Sequence, residues 1–144
     1  MKPAIHIALR RGRLSAQRLI DLVKAPAHGA VSTFLGDVRD NCEGRKVKAV
    51  TYDAFEPLAL KVLDEIAAEA ARRFGASVAI EHRVGRLAVG ETSLIIAAGA
   101  PHRHGAREAC GFALEEIKRR LPVWKREHYT GGDARWLEGR PLKS

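Results

Sequence analysis

The stretch from Ser93 to Leu121 does most to limit the folds open to this chain. Ser93 to Ala98 is a nearly continuous apolar run, the pattern of a buried strand. It leads through Gly99-Ala100-Pro101-His102-Arg103-His104-Gly105 into a helical repeat, in which Ala106, Ala109, Cys110, Ala113, Leu114, Ile117 and Leu121 form one apolar stripe. Pro122 stops that helix, because its ring blocks continuation. A buried strand that passes at once into an amphipathic helix calls for a sheet with a helix packed on it.

The rest of the chain supplies matching parts. Ile5 to Leu9 reads as a short strand, and Ser15 caps a helix to about Lys24 whose apolar side is Leu19, Ile20, Leu22 and Val23. Ala30 to Val38 and Val47 to Phe55 are β-rich runs joined by the polar turn Arg39-Asp40-Asn41-Cys42-Glu43-Gly44, a pattern that predicts a hairpin with a long, charged loop. Glu56-Pro57 opens a helix that Gly75 closes, with Leu63, Ile66, Ala67, Ala70 and Phe74 at helical spacing. Val78, Ile80, His82 and Val84 alternate as a half-buried strand, and Gly85 and Gly90 punctuate the stretch Arg86-Leu87-Ala88-Val89. Val123 to Tyr129 and Arg135 to Glu138 read as two closing strands around Thr130-Gly131-Gly132-Asp133. The order is not a strict βαβ alternation, so the expected class is an α+β sandwich with a largely antiparallel sheet. One domain over residues 1–144 is expected, with a mobile tail at about 139–144.

Charge narrows the partners. The chain of 144 residues carries 25 Lys plus Arg against 17 Asp plus Glu, a net +8, which calls for nucleic acid, an anionic small molecule or an acidic protein. Two cysteines, Cys42 and Cys110, are too few for a disulfide scaffold, which fits a reducing cytosol. The run AIHIAL near the start is too short for a signal-peptide core, and no apolar run nears the ~18 residues of a membrane span. A soluble, cytoplasmic protein that binds no membrane is the expectation.

Three segments carry candidate chemistry. His102 and Arg103 stand where a helix begins, and its outward N–H groups and dipole favour an anion such as a phosphate; the alternative is an ordinary solvent-exposed loop. His102 and His104 make a poor metal site, with no Cys, Asp or Glu at ligand spacing, so no metal or cofactor is expected. Lys118-Arg119-Arg120-Leu121-Pro122-Val123-Trp124-Lys125-Arg126 holds five cations in nine residues and no acid. There Lys118 borders the apolar stripe and Lys125 leaves on the next strand, so the two converge where helix gives way to strand, or they belong to a solvated basic helix end. Crowded and partly desolvated, such lysines have lowered pKa values and serve as base, acid or nucleophile. Arg39 leaves its strand at the loop with a planar fork suited to phosphate or carboxylate.

Read in order, FLGDVRDNCEGRKV, VTYDAF, HRVGRLAVGE, APHRHGAREAC, KRRLPVWKRE and GGDARWLEG resemble the large catalytic subunit of molybdopterin synthase from about Gly29 to Glu138. The resemblance implies an α/β-hammerhead-like sandwich with a small additional β subdomain. It also implies a sulfurtransferase of molybdenum-cofactor biosynthesis that converts cyclic pyranopterin monophosphate to molybdopterin. Sulfur would come from the C-terminal thiocarboxylate of a small ubiquitin-like carrier ending in Gly-Gly, and two large subunits would form a homodimer within a heterotetramer. By motif, Lys118 and Lys125 match the two catalytic lysines, Arg39, His102 and Arg103 match the pterin phosphate pocket, and Arg140 matches an arginine reaching across the dimer. Leu114 and Leu35 stand where relatives carry Met and Thr, changes that remove no charge. A sulfur delivered as thiocarboxylate needs no cysteine nucleophile here, and Cys110 lies on the apolar stripe as core. The rival reading is a nucleic-acid module stacking bases on Trp124 and Tyr129, but aromatics make up only 6% of the chain and no helix-turn-helix or RNP pattern is present, so no nucleic acid is expected.

Overall fold

The computed structural model describes residues 2–130 and 134–136. In chain order the elements are β1 (Ile5–Arg10), α1 (Ala16–Val23), β2 (Ala30–Asp37), β3 (Asn41–Cys42), β4 (Arg45–Ala54), α2 (Glu56–Phe74), β5 (Ser77–Arg83), β6 (Gly85–Ala88), β7 (Thr92–Ala100), α3 (Arg103–Arg120), β8 (Val123–Tyr129) and β9 (Ala134–Trp136). The first sheet runs β1-β5-β7-β2, with β1 parallel to β5 and the other pairs antiparallel. In the second sheet, β4 pairs antiparallel with β3, β6 and β8, and β8 with β9. The class is α+β, as the sequence predicts.

The helices form where local chemistry allows. Ser15 is extended, and its hydroxyl accepts from the Arg18 N–H at 3.2 Å, satisfying a first-turn donor of α1. α2 starts with proline in its first turn and ends on the Gly75 N–H, which donates to Ala71 O at 3.0 Å. The main core joins Leu63, Ile66 and Ala70 of α2, Ala109, Ala113 and Ile117 of α3, and Val78, Ile80, Ile96 and Ala98 of the first sheet. α1 covers the opposite face, setting Leu19 and Val23 on Ala79, Ile95 and Ala97. A third cluster, Val38, Val47, Val50, Leu87 and Tyr129, underlies the second sheet.

Two expectations change. Val78 to Val84 is not half-buried: helices cover both faces of β5, so Ser77 to His82 are all buried. What breaks the apolar run is Glu81, which is fully buried and faces Arg18 at 2.6 Å, His6 at 2.7 Å and Arg10 at 2.9 Å. Burial alone would raise its pKa, yet these partners hold it below the usual carboxylate value. Nor do β2 and β4 form a hairpin, since β2 pairs with β7 in the first sheet and β4 is in the second. After Asp37 the chain crosses over, with the Val38 N–H donating to Glu91 O at 2.9 Å and Val38 O accepting from the Gly90 N–H at 2.8 Å. The actual hairpin is β3–β4, around Glu43 (φ 50) and Gly44 (φ 79), two successive left-handed residues as a tight two-residue turn requires.

Candidate active site

α3 is the backbone of the site, and its two ends carry different candidates. Its last turn holds Lys118; Pro122 then turns the chain into β8, which carries Lys125. In β8, Lys125 is the cross-strand partner of Tyr52 on β4, and its side chain is only 18% exposed. Its Nζ lies 3.6 Å from Oε1 of the buried Glu127. Lys118 and Lys125 therefore converge, as the sequence suggests, on a cavity of about 40 Å³.

The cavity wall mixes apolar and polar groups. Phe34 and Gly36 come from β2, Leu94 from β7, and Tyr52 and His82 complete it beside Ser93. The Ser93 hydroxyl donates to Gly36 O at 3.1 Å, and Tyr52 is hydrogen-bonded to Ser93. Tyr52 and His82 meet edge to face, ring centres 5.1 Å apart. His82 is 1% exposed, and its Nδ1 lies 2.8 Å from Arg83 O, so Nδ1 carries the proton and Nε2 is the ring's acceptor. Burial, assisted by the Lys118 charge and opposed by the bond to Arg83, pushes its pKa down to about 4. It is neutral at physiological pH.

Lys118 is the perturbed cation of the pair. Burial lowers its pKa most, the Lys125 charge adds to that, Arg39 adds a smaller push, and Glu115 works the other way. Arg39 thus belongs to the electrostatic neighbourhood of the lysines, although its side chain is exposed. Such a site favours a bound anion and makes the Lys118 amine give up its proton more readily than an ordinary lysine does.

His102 and Arg103 lie elsewhere. They are exposed at the start of α3, brought against the end of α2 because Gly105 lacks a Cβ that would sit 2.8 Å from Phe74 O. Arg103 and Lys118 lie at opposite ends of that helix, so at 1.5 Å per residue they are ~22 Å apart along it. One copy of the chain does not place the phosphate candidates and the lysines in one pocket. Arg140 lies outside the described residues, as does the segment 139–144. Among the described residues no group of three or more His, Cys, Asp or Glu could hold a metal ion, and no helix is long and apolar enough to cross a membrane. Cys110 is buried and its thiol pushed up by that burial, which suits a core residue and not a nucleophile. Sequence reasoning missed Tyr52, His82 and Ser93 as site residues; the available signal was one polar residue, His82, continuing the apolar alternation of Val78 and Ile80.

Comparison with known proteins places the whole chain beside one family. The family model described as MoaE protein matches residues 9–120. A curated relative from Nostoc sp., the molybdopterin synthase catalytic subunit, is 38% identical over 95% of this chain and 86% of its own length. Among solved structures, molybdopterin synthase from Staphylococcus aureus superposes with a TM-score of 0.82 at 31% identity, covering 94% of this chain and 96% of that one. A chain from the complex of subunits 1 and 2 of the molybdopterin-converting factor of Helicobacter pylori has the same fold, with a TM-score of 0.78 at 20% identity over 93% of this chain and 91% of its own.

Proposed function

The chain belongs to the MoaE protein family, and from that membership together with the paired lysines we propose that it is the catalytic subunit of a molybdopterin synthase. Its reaction would be the conversion of cyclic pyranopterin monophosphate to molybdopterin, with sulfur taken from the C-terminal thiocarboxylate of a small Gly-Gly carrier. The observation that carries the reading is the convergence of Lys118 and Lys125 on one cavity. Two ammonium groups there would stabilise the oxyanion that develops when the carrier's thioacid carbon changes bonding. Lys118, with its lowered pKa, is suited to move a proton during transfer.

The pterin phosphate would be held by Arg39, His102 and Arg103, with Arg140 supporting from a second copy. Because the ends of α3 lie far apart, that pocket requires two chains. β2 offers the means, as an edge strand whose Val31 and Leu35 are 38% and 44% exposed. It starts beside Pro101, where the Gly29 N–H donates to Pro101 O at 3.2 Å, and it ends beside the lysine cavity. Two copies related by a two-fold across this edge would set the His102 and Arg103 of one near the Arg39 and Lys118 of the other. The result is a homodimer with a carrier at each site, working in the cytoplasm without a metal or cofactor of its own.

The test is reconstitution: purified chain, cyclic pyranopterin monophosphate and a thiocarboxylated Gly-Gly carrier should yield dithiolene product, and the unmodified carboxylate form of the carrier should not. No product with the thiocarboxylate would refute the reading.

A further inference from the structure

The floor of the lysine cavity is one row of the first sheet. Register sets Leu9 of β1, His82 of β5, Leu94 of β7 and Gly36 of β2 side by side, and the last three line the cavity. Cross-strand neighbours share a face, and residues two apart along a strand share it too. The row therefore continues that of Ile7, Ile80, Ile96 and Phe34, which packs in the main core. Of the eight residues in these two rows, His82 alone is polar. A buried imidazole costs desolvation that a leucine there would not, so it calls for partners on both nitrogens.

One of those partners is visible. Nδ1 donates to Arg83 O at 2.8 Å, which leaves Nε2 as an acceptor with no proton of its own. Tyr52 stands edge-on to the ring at 5.1 Å, but its phenol is hydrogen-bonded to Ser93. The Ser93 hydroxyl gives its one hydrogen to Gly36 O, so in that pair it is the phenol that donates. Lys125 Nζ lies 3.6 Å from Oε1 of Glu127. Lys118 is the donor left on the wall, and its charge reaches the His82 ring. The charged groups that face Lys118 itself are Lys125 from β8, Arg39 after β2 and the exposed Glu115 of its own helix. The first two accept no hydrogen bond, and Glu115 is not part of the cavity wall.

We propose that His82 is a positioning residue for Lys118: its Nε2 accepts an N–H of the lysine and fixes where the amine sits in the cavity. This rests on the functional reading above, because it sets His82 behind a lysine that takes part in sulfur transfer. An ammonium has three N–H bonds and a neutral amine two, so Lys118 keeps this bond whether or not it carries its extra proton. The proton it exchanges is then one that faces the substrate, and the ring stays neutral throughout.

Two substitutions test this: His82→Leu removes the acceptor and matches the rest of the row, and His82→Gln keeps an acceptor at similar reach. Loss of an acceptor disfavours the ammonium, so the pH midpoint of Lys118 acetylation should fall in His82→Leu and return toward wild type in His82→Gln. A histidine that only fills space predicts the opposite sign, since a loosened wall admits water and lets the midpoint rise. In turnover with thiocarboxylated carrier and cyclic pyranopterin monophosphate, kcat should drop about ten-fold or more in His82→Leu, with KM for the carrier unchanged and partial recovery in His82→Gln. A measurement with His82 in place decides the matter even if His82→Leu does not fold. Long-range proton–nitrogen NMR of the wild-type chain should show the ring proton on Nδ1, and the Nε2 resonance should move when Lys118 is replaced by Met. An unchanged or raised acetylation midpoint in His82→Leu overturns the proposal, and so does an Nε2 resonance indifferent to Lys118→Met. Acetylation and NMR need neither pterin nor carrier, so a wild-type chain that makes no dithiolene refutes the functional reading while these two still decide the part of His82.

Discussion

Tyr52 and Lys125 face each other across the β4–β8 pairing, and both line the cavity that Lys118 enters from the end of α3. The pairing makes the position of Lys125 a property of a sheet and that of Lys118 a property of a helix, with Pro122 as the joint between them. Two cations that repel each other are thus held by packing that neither one supplies.

That repulsion is measurable. Replacing Lys125 with Met removes the second-largest influence lowering the Lys118 pKa, so the Lys118 value should rise toward that of an ordinary lysine while burial still holds it down. The pH dependence of Lys118 acetylation, followed by mass spectrometry, should shift to higher pH in the variant. An unshifted midpoint would mean that the two ammonium groups do not share one field.

Acid should destabilise the fold through His82. Its folded pKa of about 4 lies below the 6.5 of a free imidazole, so the native state binds fewer protons and the associated stability is fully present above pH 6.5. It is lost as pH falls from 6.5 through 4, by about 3 kcal/mol at 1.36 kcal/mol per unit. Urea unfolding between pH 7 and 4 should show this loss in the wild-type chain and a shallower one in His82→Phe. Parallel curves would contradict a buried, neutral His82.

Arg39 should act on binding. Loss of a hydrogen bond to a charged phosphate weakens affinity by about 1.5–3 kcal/mol, roughly ten- to hundred-fold, so Arg39→Ala should raise the Kd for the pterin by that factor. Equilibrium titration with the cyclic monophosphate checks it, and unchanged affinity would remove Arg39 from the phosphate site.

The two-chain pocket has its own signature. Arg103→Ala and Lys118→Ala should each be inactive alone, but a mixed dimer holds one doubly altered site and one intact site, so random re-pairing should restore about a quarter of wild-type activity. No restoration on mixing would place Arg103 and Lys118 in separate roles.

Much of the fold was legible in the sequence because helices announce themselves. Ser15, the Glu56-Pro57 start, Gly75 and Pro122 fixed the three helices within a residue or two, and with them the turn that joins the two lysines. Strand partners were harder. The runs 30–38 and 47–55 look like a hairpin because they are close in sequence, yet the β2 side chains belong to a sheet whose other members include strands much later in the chain, and local pattern carries no record of a crossover. For the same reason His82 and Tyr52 escaped notice as site residues: each is an ordinary member of its strand until pairing with Leu94 and Lys125 brings it to the cavity. His102 and Arg103 were correctly placed at a helix start, but grouping them with the lysines neglected the length of the helix between.

The central claim is that Lys118, held in this cavity, takes part in moving sulfur. A single-turnover assay with thiocarboxylated carrier and cyclic pyranopterin monophosphate, comparing wild type with Lys118→Ala at saturating carrier, tests it most directly. The account predicts dithiolene formation slowed at least about 100-fold in the variant, as for loss of a transition-state donor or proton-transfer group, with carrier binding, dimer mass and melting temperature retained. Near-normal dithiolene formation by Lys118→Ala would contradict it.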